Sequence, residues 1–266
     1  MTQQLFPSQI RKIIIEQAKR ANVGHIGSAL SVVDIIAALY FEVMKISSPT
    51  DPDRDRFILS KGHAALALYA TFFLKSWITS EMLATYCSND TLLPVHPERL
   101  LKGVDFGTGS LGMGISYATG AALAAKLQNS QRRVFVLVSD AECNEGIVWE
   151  AAMFAAHHKI SNLYVIIDLN GQQALGYTQD VLDSAPLAEK WEAFGWQVKD
   201  VDGHSPEEIK SVIQSCEQNL TRPHVLIART TFGKGVSFME NKIKWHYWPM
   251  SMEEYRVALE NVERPS

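Results

Sequence analysis

Residues 133–146 read RVFVLVSDAECNEG, and residues 163–171 read LYVIIDLNG. Arg133 to Ser139 and Leu163 to Leu169 are continuous apolar, β-branched runs, the pattern of strands covered on both faces in a parallel sheet. Each run leads to an oxygen-bearing side chain, Asp140 after the first and Asn170 after the second. Between them Ile147, Ala151, Phe154 and Ala155 recur at helical spacing, which predicts a helix over Glu145 to His158 and a strand, helix, strand unit. A parallel crossover of this kind brings Asp140 and Asn170 to one carboxyl edge of the sheet, where open α/β folds bind their ligands. A carboxylate and an amide carbonyl suit Mg²⁺ or Ca²⁺, and Mg²⁺ shares its shell with substrate phosphates, so the pair reads as an anchor for a diphosphate and its metal. Both residue types also serve simply to turn the chain after a strand, and spacing alone leaves the two readings open.

Working outward, the 266 residues with 47% hydrophobic content are enough to bury a full core as one α/β domain. A net charge of -4 and the absence of any run of like charge give no basic field for nucleic acid. Cys87, Cys143 and Cys216 are odd in number and far apart, which indicates neither a disulfide framework nor a zinc site and fits a reducing cytoplasm. The start, Met-Thr-Gln-Gln-Leu, enters an amphipathic helix without an apolar leader, and no later run approaches a membrane span. A cytoplasmic protein without membrane contact is expected.

The rest of the chain alternates helices and strands without an internal repeat. Pro7 to Ala21 is expected to be a helix burying Ile10, Ile13, Ile14 and Ala18, and Ser31 to Met44 a second, more buried one. Arg56 to Ser60, Gln197 to Val201 and His224 to Thr230 read as further strands. Ala65 to Leu74, the Gly- and Ala-rich Met113 to Leu127, and Ser251 to Val262 read as helices, the second packed closely on another backbone and the last at the surface. Gly107 to Gly112 matches the dinucleotide fingerprint G-x-G-x-x-G, but Lys102 to Phe106 is too short and polar for the required strand and no acidic residue follows at the required distance.

Four histidines stand in loops beside glycine, proline or aromatic residues: His25 in GHIGS, His63 in SKGHA, His96 in VHPE and His246 in KWHY. At a sheet edge such a side chain can donate a hydrogen bond or move a proton near neutral pH, although a single loop histidine also caps local backbone. His157 and His158, placed mid-helix by this reading, are taken as packing or solvated residues.

These segments together resemble the thiamine-diphosphate-binding, N-terminal half of transketolases from about Ala21 to His246. The family's GHxG loop is matched by Gly24 to Gly27, its SxGHA loop by Ser60 to Ala64, and its HPE segment by His96 to Glu98. Its TGSLGxG element is matched by Thr108 to Gly114, its GDG-to-N metal motif in position by Ser139-Asp140-Ala141 and Asn170, and its late GKG…WH segment by Gly233 to Glu240 and Trp245-His246. The resemblance implies a parallel sheet flanked by helices on both faces, with residues 1–266 forming a single thiamine-diphosphate and metal-binding domain of the pyrophosphate-binding type. By the same resemblance Asp140, Asn170 and the Gln172 carbonyl would hold Mg²⁺ or Ca²⁺, with Ala141 N–H and His63 near the diphosphate. Gly109, Ser110 and Leu111 would lie along the cofactor's rings. His25, His96 and His246 would face the sugar and handle protons during two-carbon ketol transfer, and Glu145 would link paired sites at a subunit interface.

Two departures qualify these expectations. Ser139 and Ala141 replace the glycines of GDG, so any positive φ there would be strained. A homologue that keeps the fold without catalysis is the alternative those residues raise. The resemblance also places the pyrimidine-binding domain, its activating glutamate and the C-terminal domain outside this sequence. It thus implies one subunit of a split transketolase, inactive without its C-terminal partner, expected as a heterotetramer acting on sugar phosphates or related sulfonated or branched sugars.

Overall fold

The computed structural model describes residues 5–263. Its strands are β1 (Arg56–Leu59), β2 (Val134–Ser139), β3 (Leu163–Leu169), β4 (Gln172–Gln173), β5 (Gly176–Tyr177), β6 (Gln197–Asp202) and β7 (His224–Arg229). Its helices are α1 (Leu5–Ala21), α2 (Ile26–Ser31), α3 (Val33–Ala38), α4 (Ala65–Leu74), α5 (Ser80–Leu83), α6 (Met113–Leu127), α7 (Gly146–His157), α8 (Thr178–Val181), α9 (Leu187–Ala193), α10 (Pro206–Cys216) and α11 (Met252–Glu263). Five strands form one sheet in the order β1-β2-β3-β7-β6, every neighbouring pair parallel, while β4 and β5 form a two-residue antiparallel hairpin.

The apolar runs bury both faces of this sheet, as parallel strands require. Val134, Val136 and Val138 of β2 pack into a layer with α6, α7 and α9, whereas Phe135 and Leu137 enter the opposite layer with α1 to α4, α10 and α11. Side-chain alternation along β3 repeats this division and aims Asp168 toward the α2 side, where Ser31 meets it. In register Ser139 stands opposite Asp168, so the loops after β2 and β3 leave the sheet side by side. Among the described residues no helix is long and apolar enough to cross a membrane.

Elements that carry the site have local causes. α1 buries Ile10, Ile13, Ile14 and Ala18 as its spacing predicts. It ends where Asn22 takes a left-handed conformation, Asn22 N–H bonding Lys19 O and Val23 N–H bonding Ala18 O, both at 3.2 Å. This double bond is the Schellman stop, and it turns the chain into the GHIG loop.

The expected Ser31–Met44 helix starts earlier, at Ile26, and is interrupted at Val32. The Ser31 hydroxyl reaches both Ser28 O, at 3.1 Å, and Asp168 Oδ2, at 2.8 Å, a side-chain competition that disturbs helical continuity. Further on, Met44 N–H bonds Leu39 O at 2.8 Å, five residues back, so the segment closes with a widened turn over Leu39–Val43. His157 ends α7 and His158 caps it; both are exposed rather than mid-helix.

Candidate active site

The loops after β1, β2, β3 and β7, with the GHIG loop, meet at the carboxyl edge of the sheet around a cavity of about 320 Å³. His25, His63, His96, Gly109, Leu111, Ala141, Glu145, Asn170, Gln172 and His246 line it, joined by Lys61, Ser139 and Tyr247. Ser110 instead faces an adjoining groove with His96, Glu98 and Tyr117. Asp140 lies beneath the lining at 1% exposure. Residues scattered over more than two hundred positions are therefore brought into one place.

Two glycines make this convergence possible. A Cβ on Gly24 would collide with the backbone of Tyr247, and one on Gly27 would strike the Phe232 ring, so the GHIG loop can lie directly on the segment carrying His246. His25 N–H then bonds His246 O at 3.0 Å. The rings of His25, His63 and His246 form a triangle with centroid separations of 5.3, 5.4 and 5.5 Å. His96 rests its ring against Gly109.

Burial is the main cause that holds three of these rings neutral. It lowers His25, with His96 and Lys61 adding repulsion; it lowers His63 well below its ordinary value; and it brings His246 down to about 4. The Nδ1 atoms of His25 and His246 are buried without a hydrogen-bond partner. A neutral imidazole offers one donor and one acceptor, a combination suited to hydroxyl recognition and proton transfer.

At the strand ends, Asp140 accepts Ala141 N–H at 2.8 Å and Gly171 N–H at 2.7 Å. Burial raises its carboxyl to about 7, the charge on Asp168 pushing in the same direction and the two N–H bonds opposing it. Asn170 donates to Asp168 at 2.8 Å, and its Oδ1 accepts Gln172 N–H at 2.9 Å. Asp168 itself is fully buried and accepts from Lys61, Ser31, Thr230 and Asn170. Burial opposes its ionisation, yet the Lys61 charge and these bonds hold it below the usual carboxylate range.

The donor set fits a hard divalent cation. Asp140 and Asn170 bring a buried carboxylate and an amide oxygen to one corner, too few for an all-protein cage and of the kind that suits Mg²⁺ sharing its shell with phosphate oxygens. Ala141 N–H, at the first turn leading to α7, is presented to the same corner and is engaged by Asp140. Neither Ser139 nor Ala141 has a positive φ, so the strain that their replacement of glycine raised does not arise.

Three buried polar residues escape the motif reading. Lys61, at 1% exposure, is the ion-pair partner of Asp168 and lines the cavity floor. Asp168 has a sequence signal, a charge inside an apolar strand, which demands a buried partner. Glu142, at 0% exposure, accepts from Ser60, Gly112 and Ser139; the sequence marks it no differently from the neighbouring Glu145, which is exposed.

Residues 2–262 match the family described as transketolase, thiamine diphosphate binding domain. The chain is 40% identical over 258 residues to the 6-deoxy-6-sulfo-D-fructose transketolase subunit SqwG of Clostridium sp. (strain MSTE9), covering 96% of this chain and 94% of that protein. It is 38% identical over 263 residues to an apulose-4-phosphate transketolase subunit of Phocaeicola vulgatus, covering 98% of this chain and 94% of that protein. Among solved structures, the transketolase of Campylobacter jejuni superposes with a TM-score of 0.90 at 31% identity. There the chain is covered over 98% of its length but spans only 43% of the solved protein.

Proposed function

The chain belongs to the transketolase family, within its thiamine-diphosphate-binding domain, and from that premise we propose that it is the N-terminal subunit of a cytoplasmic, two-chain transketolase. The reaction is transfer of a two-carbon ketol unit from a ketose donor to an aldose acceptor. The observation that carries this reading is the single cavity in which three neutral histidines face the Asp140–Asn170 corner. Relatives named as subunits, each matched over 94% of its length, support the two-chain arrangement. Their names, which specify a sulfonated ketose and a branched sugar phosphate, support a substrate among phosphorylated, sulfonated or branched sugars.

In this reading Asp140, Asn170 and the Gln172 carbonyl hold Mg²⁺ or Ca²⁺ against the diphosphate, with Ala141 N–H and His63 beside it. Gly109, Ser110 and Leu111 lie along the rings. Thiamine diphosphate, when bound, supplies the nucleophile and electron sink for breaking and remaking the carbon–carbon bond next to a ketose carbonyl. His25, His96 and His246 hydrogen-bond the sugar hydroxyls and take up or return a hydroxyl proton as that bond breaks or forms. A partner chain brings the pyrimidine-binding domain and the activating glutamate, and Glu145 lies where paired sites meet in a heterotetramer.

The test is co-expression with a partner chain carrying those domains, followed by assay with Mg²⁺, thiamine diphosphate and a panel of ketose donors and aldose acceptors, phosphorylated, sulfonated and branched. Transfer by the pair and none by the purified single chain is expected. Transfer by the single chain at the pair's rate overturns the split-enzyme reading, and a pair inactive on every donor overturns the enzymic one.

A further inference from the structure

We infer that Glu142 is a positioning residue which holds the three loops of the diphosphate corner in register through one buried carboxylate. Its Oε1 accepts Ser60 Oγ–H at 2.5 Å and Gly112 N–H at 2.8 Å, and its Oε2 accepts Ser139 N–H at 2.9 Å. In return Ser139 Oγ accepts Glu142 N–H at 3.2 Å. The donors come from three different segments. Ser60 opens the loop of Lys61 and His63, Gly112 closes the loop of Gly109 and Leu111, and Ser139 precedes Asp140 and Ala141.

The pattern of its acceptors is what suits Glu142 to this place. All three partners donate toward one point, and a carboxylate is the side chain that accepts everywhere and donates nowhere. A glutamine of the same shape would have to turn its NH₂ toward a donor, leaving at least one buried N–H or O–H without an acceptor.

The inference rests on the proposed function only for the identity of the ligand, and its test separates the two. In the full ligand-free chain, hydrogen exchange of Gly112 and Ser139 amides is compared between wild type and Glu142→Gln, with β2 residues Phe135 to Val138 as the internal reference. At least tenfold faster exchange at those two amides, with the reference unchanged, is expected. Unchanged exchange overturns the inference whether or not a cofactor binds.

With the partner present, the dissociation constants of Mg²⁺–thiamine diphosphate and of unphosphorylated thiamine are then measured. Glu142→Gln is expected to weaken the first at least tenfold and leave the second within twofold. An equal loss for both overturns the positioning role and leaves a merely structural one. Should Glu142→Gln not fold, Ser60→Ala removes one donor alone and must shift the same ratio in the same direction by a smaller factor. Wild type that takes up no Mg²⁺–thiamine diphosphate refutes the cofactor reading, and the exchange comparison still decides Glu142.

Discussion

Asp140 is under opposed demands. Its carboxylate is 1% exposed beside the buried charge of Asp168, and two backbone N–H groups only partly offset that environment, which is why its carboxyl stands at about 7. A cation at this corner would relieve the burden, and under the proposed role Asp140 weakens the chain that lacks its ligand. Asp140→Asn keeps an acceptor for Gly171 N–H, gives up the bond from Ala141 N–H and removes the buried charge, the last outweighing the lost bond. The melting temperature of the metal-free variant is therefore expected to hold or to rise by a few degrees, since about 1 kcal/mol corresponds to roughly 2–4 °C for a chain of this size. Titration calorimetry should show Mg²⁺-dependent thiamine diphosphate binding weakened by roughly 100-fold, about 2.7 kcal/mol. A lower melting temperature with unchanged binding would falsify the ligand role and leave Asp140 a residue of the fold.

Within α6 two glycines test how closely one element must approach another. A Cβ on Gly114 would stand 2.7 Å from Ser60 Cα, so Gly114→Ala must push the helix away from the loop that carries Lys61 and His63, at about 1–3 kcal/mol. Gly120 has nothing within 4 Å of such a Cβ, and Gly120→Ala should stabilise by about 0.5–1 kcal/mol through helix propensity. Urea unfolding of the two variants should move in opposite directions. His224, at the start of β7, gives the strand a pH signature. It is fully buried, and burial lowers it from 6.5 to about 4, backbone groups of Ser161 and Asn219 offsetting this in part. A base with a depressed pKa contributes full stability above pH 6.5 and loses it as pH falls toward 4, on the order of 3 kcal/mol. His224→Phe, which can keep the stack on Tyr164 at 4.7 Å, should show a smaller stability difference between pH 7.5 and 5 by urea unfolding. Asp140 runs the other way over part of that window but is common to both chains and cancels. The same elements show what the sequence made legible. Strands such as β2 and β3 are readable because burial on both faces leaves an unbroken apolar run, and His25, His63 and His96 because glycine or proline flanks them. The break at Val32 is not, since the partner that engages the Ser31 hydroxyl at the end of α2 is Asp168, 137 positions away. Lys61 and Glu142 read as ordinary loop charges until tertiary structure buries them. α10, absent from the expected elements, has its start signal in Ser205-Pro206-Glu207-Glu208, the Ser205 hydroxyl accepting Glu208 N–H at 3.2 Å.

For the molecule as a whole, several large apolar side chains in or next in sequence to the cavity lining stay exposed. Leu111 and Tyr247 line the cavity yet are 39% and 55% exposed, Trp248 beside Tyr247 is 64% exposed, and Leu175, next to the lining residue Ala174, is 82% exposed. Exposed large apolar side chains beside a binding cavity suit a contact surface. Under the two-chain reading this rim is where the second chain closes the site, because the groups still needed must reach the same cavity that the rim encircles. Trp248 is the sharpest probe: its ring is free of the core, and tryptophan is enriched among the few interface residues that dominate binding. Trp248→Glu should leave the melting temperature of the chain alone within about 2 °C, as a surface substitution does. Its affinity for the partner should fall at least tenfold, about 1.4 kcal/mol, as read by titration calorimetry. In the wild type, pairing should shift tryptophan emission to shorter wavelength as the indole leaves water, and the variant should lose most of that shift. Full-strength pairing by Trp248→Glu would place the partner on another face, and the site would then have to be completed by a segment reaching over the rim without resting on it.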